Sequence, residues 1–240
     1  MSQLRPSEII SRSFSILFEN FVPFILLTAL VYTPFIALSV IIYGVDRAGA
    51  EPGALALLAA GPVMLMIVLN LLATGALMYG VIRHLHGQRV TLGACLNVGI
   101  QRLMAVLGVG LLVGLCVLGG VFLFIVPGII MSLMLYVAVP VAVIEQPGVS
   151  AALRRSAELT RGHKGSIFAV VLLVALINFG ANMVIGGVQA VAPEALGLLL
   201  DLGSSVFFGA FGAVVTAVVY FDLRVMQDGV DAAQLARSFE

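Results

Sequence analysis

Six long apolar runs, separated by short polar segments, dominate the chain. Roughly 20 apolar residues of helix cross a membrane core of about 30 Å, whereas the strands of a membrane β-barrel alternate over about ten residues. The continuous runs therefore predict six transmembrane helices. The predicted spans are 21–43, 55–82, 103–126, 129–144, 167–191 and 195–221.

Polar and apolar residues alternate with helical periodicity in the segments before the first, third and fifth spans. In the first segment Ile10, Phe14 and Leu17 fall on one side and polar residues on the other. The pattern predicts amphipathic helices at 7–18, 91–102 and 149–160, each lying in the membrane interface. The predicted fold is an all-α integral membrane protein. It is a six-helix bundle of three hairpins, each preceded by an interface helix, in one membrane domain over residues 1–240.

Basic residues mark one side of the predicted spans. All 12 Lys and Arg residues except Arg47 lie before span one, between spans two and three, between spans four and five, or after span six. The positive-inside rule makes that side cytoplasmic. We therefore expect a multi-pass membrane protein with both termini in the cytoplasm and short outer connections at 44–54, 126–128 and 192–194.

Composition agrees with a membrane setting and narrows the partners. Hydrophobic residues make up 61% of the chain, charged residues 10%, and the mean hydropathy is +1.17, whereas soluble domains carry about 25% charged residues. The formal net charge is zero and there are only two cysteines, without metal-ligand spacing. We expect membrane lipids as partners, no nucleic acid, no metal and no cofactor. Other membrane proteins remain an open second class of partner.

The motifs of common enzyme sites are missing from the sequence. It contains no His-Glu-x-x-His helix, no Gly-x-Ser-x-Gly elbow and no phosphate-binding loop, and the neighbouring His84 and His86 fall in a basic segment. No catalytic residue is assigned, and the expectation is a protein that is not an enzyme.

The fifth predicted span carries an unusual row of amides. Asn178, Asn182 and Gln189 share one helical face, and Asp201 lies in the next span. Polar groups at membrane depth are costly, so each needs a reason. Two interpretations stay open: a polar path through the bundle, or hydrogen bonding between helices.

A second polar group gathers where the spans meet the basic side. Glu145 closes span four, Asp222 and Arg224 close span six, and the interface helix between spans four and five carries further arginines, which are Arg154, Arg155 and Arg161. Residues two apart do not face each other on a helix. Asp222 is therefore expected to pair with Arg154 or Arg155, and Arg224 with Glu145 or a lipid phosphate. The cluster is predicted to hold the bundle together and to bind anionic headgroups.

Two stretches resemble a known family. The first contains Val-Pro-Gly at 126–128, Ala-Val-Pro-Val at 138–141, Glu145, Gly148, Ala-Leu-Arg-Arg-Ser at 152–156 and Leu-Thr-Arg-Gly at 159–162, and the second is Tyr-Phe-Asp-Leu-Arg at 220–224 followed by Gly229. Together they resemble the membrane domain of some bacterial glycerophosphoryl diester phosphodiesterases and the related YciC-like inner-membrane proteins. The resemblance implies a multi-span inner-membrane protein, without phosphodiesterase activity because that family's catalytic domain has no counterpart here. The aromatic residue, often Trp, that the family would place near Lys164 is absent.

These patterns predict an accessory or scaffold protein that binds anionic lipid at the cytoplasmic face. The alternative is a transporter or lipid-handling protein with a polar path along span five.

Overall fold

The computed structural model describes residues 4–47, 52–85, 91–191 and 193–228. Within these ranges the chain forms nine helices and no strand. The helices are α1 (Pro6–Glu19), α2 (Phe21–Arg47), α3 (Pro52–Leu85), α4 (Leu92–Leu123), α5 (Ile125–Met134), α6 (Ala138–Ile144), α7 (Val149–Leu159), α8 (Lys164–Gln189) and α9 (Glu194–Asp228).

The helices confirm the predicted class, an all-α chain with several membrane spans. Among the described residues five stretches are long and apolar enough to cross a membrane. A sixth is added if α1 and the first part of α2, which meet at an angle of 84°, are counted together. The chain therefore has the makeup of a multi-pass membrane protein.

Helix α1 matches the predicted amphipathic helix at 7–18 and turns sharply into α2 at Asn20. Its apolar face does not lie open: Ile9, Ile16 and Leu17 are buried, and α1 packs against α8 and α9. Pro6 occupies the first helical turn, where the missing N–H costs nothing. The amphipathic pattern is thus satisfied largely by protein rather than by an open membrane surface.

Helix α4 differs from the prediction. The sequence predicted an interface helix at 91–102 and a separate span at 103–126, but one uninterrupted helix runs over Leu92–Leu123. No proline interrupts this stretch, and Gly99 allows close packing on α3, where an added Cβ would lie 3.0 Å from the Ala76 Cβ. The second separate interface helix is therefore wrong, and the three predicted hairpin units are not alike.

The connection between α4 and α5 is tighter than predicted. The break falls at the extended residue Phe124, and Val126, Pro127 and Gly128, predicted as the turn, belong to the first turn of α5. Pro127 has no N–H to donate to the carbonyl of Leu123, four residues earlier, and its ring would clash with that carbonyl in a continuous helix. Gly120 and Gly128 then bring the helix backbones together, since a Cβ on Gly120 would lie 2.9 Å from the Gly128 Cα.

The predicted fourth span is built from two helices, α5 and α6, separated at residues 135–137. Pro140 accounts for this break, because its ring excludes helical geometry at the Tyr136 carbonyl. The carbonyl of Met134 is left free by the break and accepts hydrogen bonds from the buried hydroxyls of Ser156 (2.9 Å) and Thr160 (3.2 Å) in α7. Helix α7 matches the third predicted amphipathic helix and is fastened to this break.

The core is centred on α9. Its middle and last turns bury Phe211, Val214, Val218 and Tyr220, and it packs against α1, α2, α3, α6, α7 and α8. The helix continues to Asp228, past the end predicted at residue 221. Helix α8, in contrast, is mostly exposed: 11% of its apolar stretch is buried.

Candidate functional site at the basic end

Charged side chains from four parts of the chain meet at one end of the bundle, here called the basic end. It comprises α1, the last turn of α3, the α6–α7 region and the last turns of α9. Two contacts between distant segments define it: Arg12 with Asp222, and His84 with Glu19. The Gln227 amide also donates to the carbonyl of Glu158 at 2.7 Å, which joins the end of α9 to the end of α7.

A four-residue cluster, here called the Glu145 clamp, joins α6, α7 and α9. The Glu145 carboxylate accepts from the Tyr220 hydroxyl at 2.9 Å and from Arg155 Nε at 3.2 Å. Arg224 Nη1 donates to the same Tyr220 hydroxyl at 3.1 Å, and Arg224 Nε lies 3.8 Å from Glu145. The three charged side chains are 16–25% exposed, so their attraction is less screened than that of surface pairs.

Local backbone geometry brings α7 back to the clamp. Glu145 is the C-terminal cap of α6, and α7 starts only four residues later. The turn between them uses left-handed backbone at Gln146 (φ 52°) and Gly148 (φ 89°). Glycine adopts this geometry without steric cost, and Arg155 in the second turn of α7 then reaches the carboxylate.

Asp222 has a different partner from the one predicted. Its carboxylate lies 3.1 Å from Arg12 Nη1 in α1, and the Arg12 guanidinium also stands 5.6 Å above the centre of the Phe221 ring. Pairing with Arg154 or Arg155 is therefore wrong. The prediction that Asp222 and Arg224 have different partners is correct, and Arg224 lies against Glu145 as predicted.

The remaining predicted arginines, Arg154 and Arg161, form what we call the basic rim. Arg154 lies on the outward side of α7 with 79% of its side chain exposed, and its one ion pair in the described part of the chain is a loose 3.9 Å contact with Glu158. Arg161 is exposed in the short link to α8. The predicted cluster therefore divides into a half-buried clamp and an exposed rim.

Two participants at the basic end were missed by the sequence analysis. Tyr220, 1% exposed, sits at the centre of the clamp, and its spacing of four residues from Arg224 was the available signal. His84 is the second: its Nε2 lies 3.1 Å from the Glu19 carboxylate, and its Nδ1 lies 2.9 Å from the Asn20 amide nitrogen. These contacts fix the corner between α1 and α2 to the end of α3. His86 lies outside the described residues.

The structure describes the side chains of three of the four residues predicted for the polar path. Asn178 and Asn182 each donate to the carbonyl four residues earlier in α8, at 2.8 Å, and the Gln189 amide donates to Gly197 O in α9 at 3.0 Å. The side chain of Asp201 lies outside what the structure describes. No three His, Cys, Asp or Glu side chains in the described ranges come close enough to hold a metal ion.

A groove of about 520 Å³ lies between α8 and α9, on the half of these helices away from the basic end. Its lining is apolar except for Ser204. The lining residues are Gly180, Ala181, Val184, Ile185, Leu200, Gly203, Ser204, Phe207 and Phe208.

Comparison with known proteins adds no family: no family model, no curated protein and no solved structure matches the chain. The resemblance to the phosphodiesterase membrane domain therefore stays a prediction.

Proposed function

We propose that the chain is a non-enzymatic accessory protein of the bacterial inner membrane that binds anionic lipid headgroups at its cytoplasmic face. In this proposal the basic end is cytoplasmic, the Glu145 clamp holds the helices in register, and the basic rim contacts lipid phosphates. The observation that carries the proposal is the division of the arginines into half-buried and exposed sets.

Placement of the rim supports contact with headgroups. Phe168, Leu172 and Leu176 are exposed apolar residues on α8, and such a surface is suited to acyl chains. Phe168 is four residues, or about 6 Å of helix, beyond the start of α8 at Lys164. Arg161 lies just before that start. This supports a position for Arg161, one of the two rim residues, at the boundary where the apolar surface ends, which is the expected level of the phosphates.

The corner between α1 and α2 supports the same membrane level. Phe18 is 60% exposed at the end of α1, and its ring stacks with those of Phe14 and Phe21. An exposed aromatic ring next to a polar helix face suits the interfacial region of a membrane. There the ring contacts acyl chains while the polar face contacts headgroups and water. This supports a position of α1, like α7, along the interface.

The alternative, a transporter or lipid-handling protein with a polar path, has less support. Such a path needs polar groups that face a shared space, whereas Asn178 and Asn182 bond to their own helix and the α8–α9 groove is lined almost entirely by apolar residues. The accessory role is therefore our first candidate.

The test is retention of anionic lipid by the full chain. Wild type and the double variant Arg154→Gln/Arg161→Gln would be reconstituted in nanodiscs of mixed phosphatidylglycerol and phosphatidylcholine, and the bound lipids counted by native mass spectrometry. Loss of two exposed charges near a surface, each contributing about 1 kcal/mol, predicts a fall of about tenfold or more in bound phosphatidylglycerol relative to phosphatidylcholine.

Glu158→Gln is the matched control, because it removes a negative charge beside Arg154. It is expected to raise the phosphatidylglycerol share or leave it unchanged. If the double variant retains as much phosphatidylglycerol as wild type, the proposed headgroup binding is wrong.

A further inference from the structure

Two asparagine side chains stand at membrane depth on a sparsely packed helix. Asn178 lies ten residues beyond Phe168, or about 15 Å along α8, which is near the middle of a core about 30 Å thick. Asn182 is one turn further on and is exposed. Amides in such a position are costly unless another polar group meets them.

Their hydrogen bonds within the described residues satisfy only part of each amide. Asn178 donates to Val174 O and Asn182 donates to Asn178 O, both within α8. A primary amide has two N–H donors and a carbonyl acceptor. Each side chain therefore keeps donor and acceptor capacity that acyl chains cannot use.

The same face exposes bare backbone. Gly186 is four residues beyond Asn182 and so falls on the same helical row as Asn178 and Asn182. A Cβ placed on Gly186 would meet nothing within 4 Å, so no element among the described residues covers this point. We call Asn178, Asn182 and Gly186 the amide row. Polar side chains beside a small residue form the usual contact surface between membrane helices, since the small residue lets backbones approach and the amides bond across.

We propose that the amide row is a self-association surface, on which α8 packs against α8 of a second copy of this chain. The occupant is argued from complementarity. Since an amide is donor and acceptor at once, an asparagine and its symmetry mate satisfy each other across a two-fold axis. A purely apolar partner helix would leave the amides unsatisfied, while a second copy supplies the matching groups at the matching spacing.

The surface is distinct from the other features of α8. The α8 side of the apolar groove is Gly180, Ala181, Val184 and Ile185, none of which belongs to the amide row. The basic rim lies at the opposite end of the helix. Self-association through this row would leave the rim accessible, whereas the row borders the groove, because Ile185 is seven residues from Asn178 and so lies near it around the helix.

Glycine substitution gives a sharp test, because two neighbouring glycines differ only in direction. A Cβ on Gly186 or on Gly187 meets nothing within 4 Å, so a larger residue at either position leaves the packing of one copy intact. Gly187 lies about 100° further around the helix, away from the row. Gly186→Leu should block close approach of the second copy, and Gly187→Leu serves as its control.

The measurement is single-molecule photobleaching of the full chain, labelled at its amino terminus and reconstituted in liposomes over a series of protein-to-lipid ratios. Wild type and Gly187→Leu are expected to show a dimer population that falls on dilution. Gly186→Leu and Asn178→Leu/Asn182→Leu are each expected to weaken the dimer about tenfold or more.

Either of two results would overturn the proposal. One is a wild-type protein that stays monomeric over the whole series, which would mean that lipid alone covers the row. The other is a dimer that neither Gly186→Leu nor the double asparagine variant weakens, which would place the contact on another face. Circular dichroism of each variant checks that the helices are intact. Asn182→Gln keeps an amide at this position and should therefore retain the dimer that the leucine variants lose.

Discussion

The basic end and the two asparagines in the second half of helix α8 satisfy their polar groups in opposite ways. At the basic end the Glu145 carboxylate meets Tyr220 and Arg155 from other helices, and Asp222 meets Arg12, which is 210 residues away. In α8 the two asparagines donate to carbonyls of their own helix and, within the described residues, to no other helix. Polar groups paired across elements fix tertiary structure, whereas polar groups paired only locally leave a surface that another molecule can use.

The largest stability effect is expected at Glu145. Glu145→Ala leaves Arg155 and Arg224 near each other without the carboxylate between them, and breaking such a half-buried pair costs about 3 kcal/mol. The free energy of unfolding would be measured by titration with sodium dodecyl sulfate in mixed micelles. Glu158→Ala is the matched control, since its pair with Arg154 is exposed and contributes less than about 1 kcal/mol. Equal losses for the two variants would contradict the clamp.

A smaller loss is expected at Ser156. Its hydroxyl donates to the Met134 carbonyl that the break between α5 and α6 leaves free, at 2.9 Å, and the side chain is fully buried. Ser156→Ala removes one of the two side-chain hydrogen bonds to the half-buried Met134 carbonyl, the other coming from Thr160, and should cost about 1 kcal/mol in the same titration. Ser132→Ala provides the comparison, because that hydroxyl bonds to Ile129 in its own helix. A loss at Ser132 as large as at Ser156 would mean that the break does not depend on α7.

The smallest effect is expected in α8. Asn182→Leu removes a bond that lies within one helix and exposes an apolar side chain where lipid is the solvent. The unfolding free energy of the single copy, measured at high detergent-to-protein ratio, should stay within about 0.5 kcal/mol of wild type. A loss above about 1 kcal/mol would mean that Asn182 stabilises the fold of a single copy. The difference proposed between the basic end and α8 would then be wrong.

Local pattern was enough to predict most helices but not how they end or meet. The apolar runs predicted α2, α8 and much of α9, because an uninterrupted apolar stretch of this length has few alternatives to a membrane helix. The pattern at 91–102 fitted either a separate interface helix or the first turns of a long one, and packing of Gly99 on α3 favours the second. The break before Pro140 could have been predicted, since proline ends a helix for local steric reasons.

The sequence predicted which residues belong to the candidate site better than it predicted which of them pair with each other. Glu145, Arg155 and Arg224 do meet, but the partner of Asp222 is in α1, at the other end of the chain. No local rule links residues so far apart in sequence, because their approach depends on how α1 folds across α9. Tyr220 was not predicted as a member of the site, because its aromatic ring fits the apolar pattern of the last span and its hydroxyl group was not considered.

Neighbouring arginines of α7 allow the most direct test of the central claim, that the clamp holds the fold and the rim binds anionic lipid. Arg155 touches Glu145 and is 25% exposed, whereas Arg154 is 79% exposed. Unfolding free energy and phosphatidylglycerol retention would be measured together for Arg155→Gln and Arg154→Gln. We expect Arg155→Gln to lower stability by about 2 kcal/mol or more with retention unchanged, and Arg154→Gln to lower retention with stability unchanged. If both variants lose the same property, or if their effects are exchanged, the division into clamp and rim is contradicted.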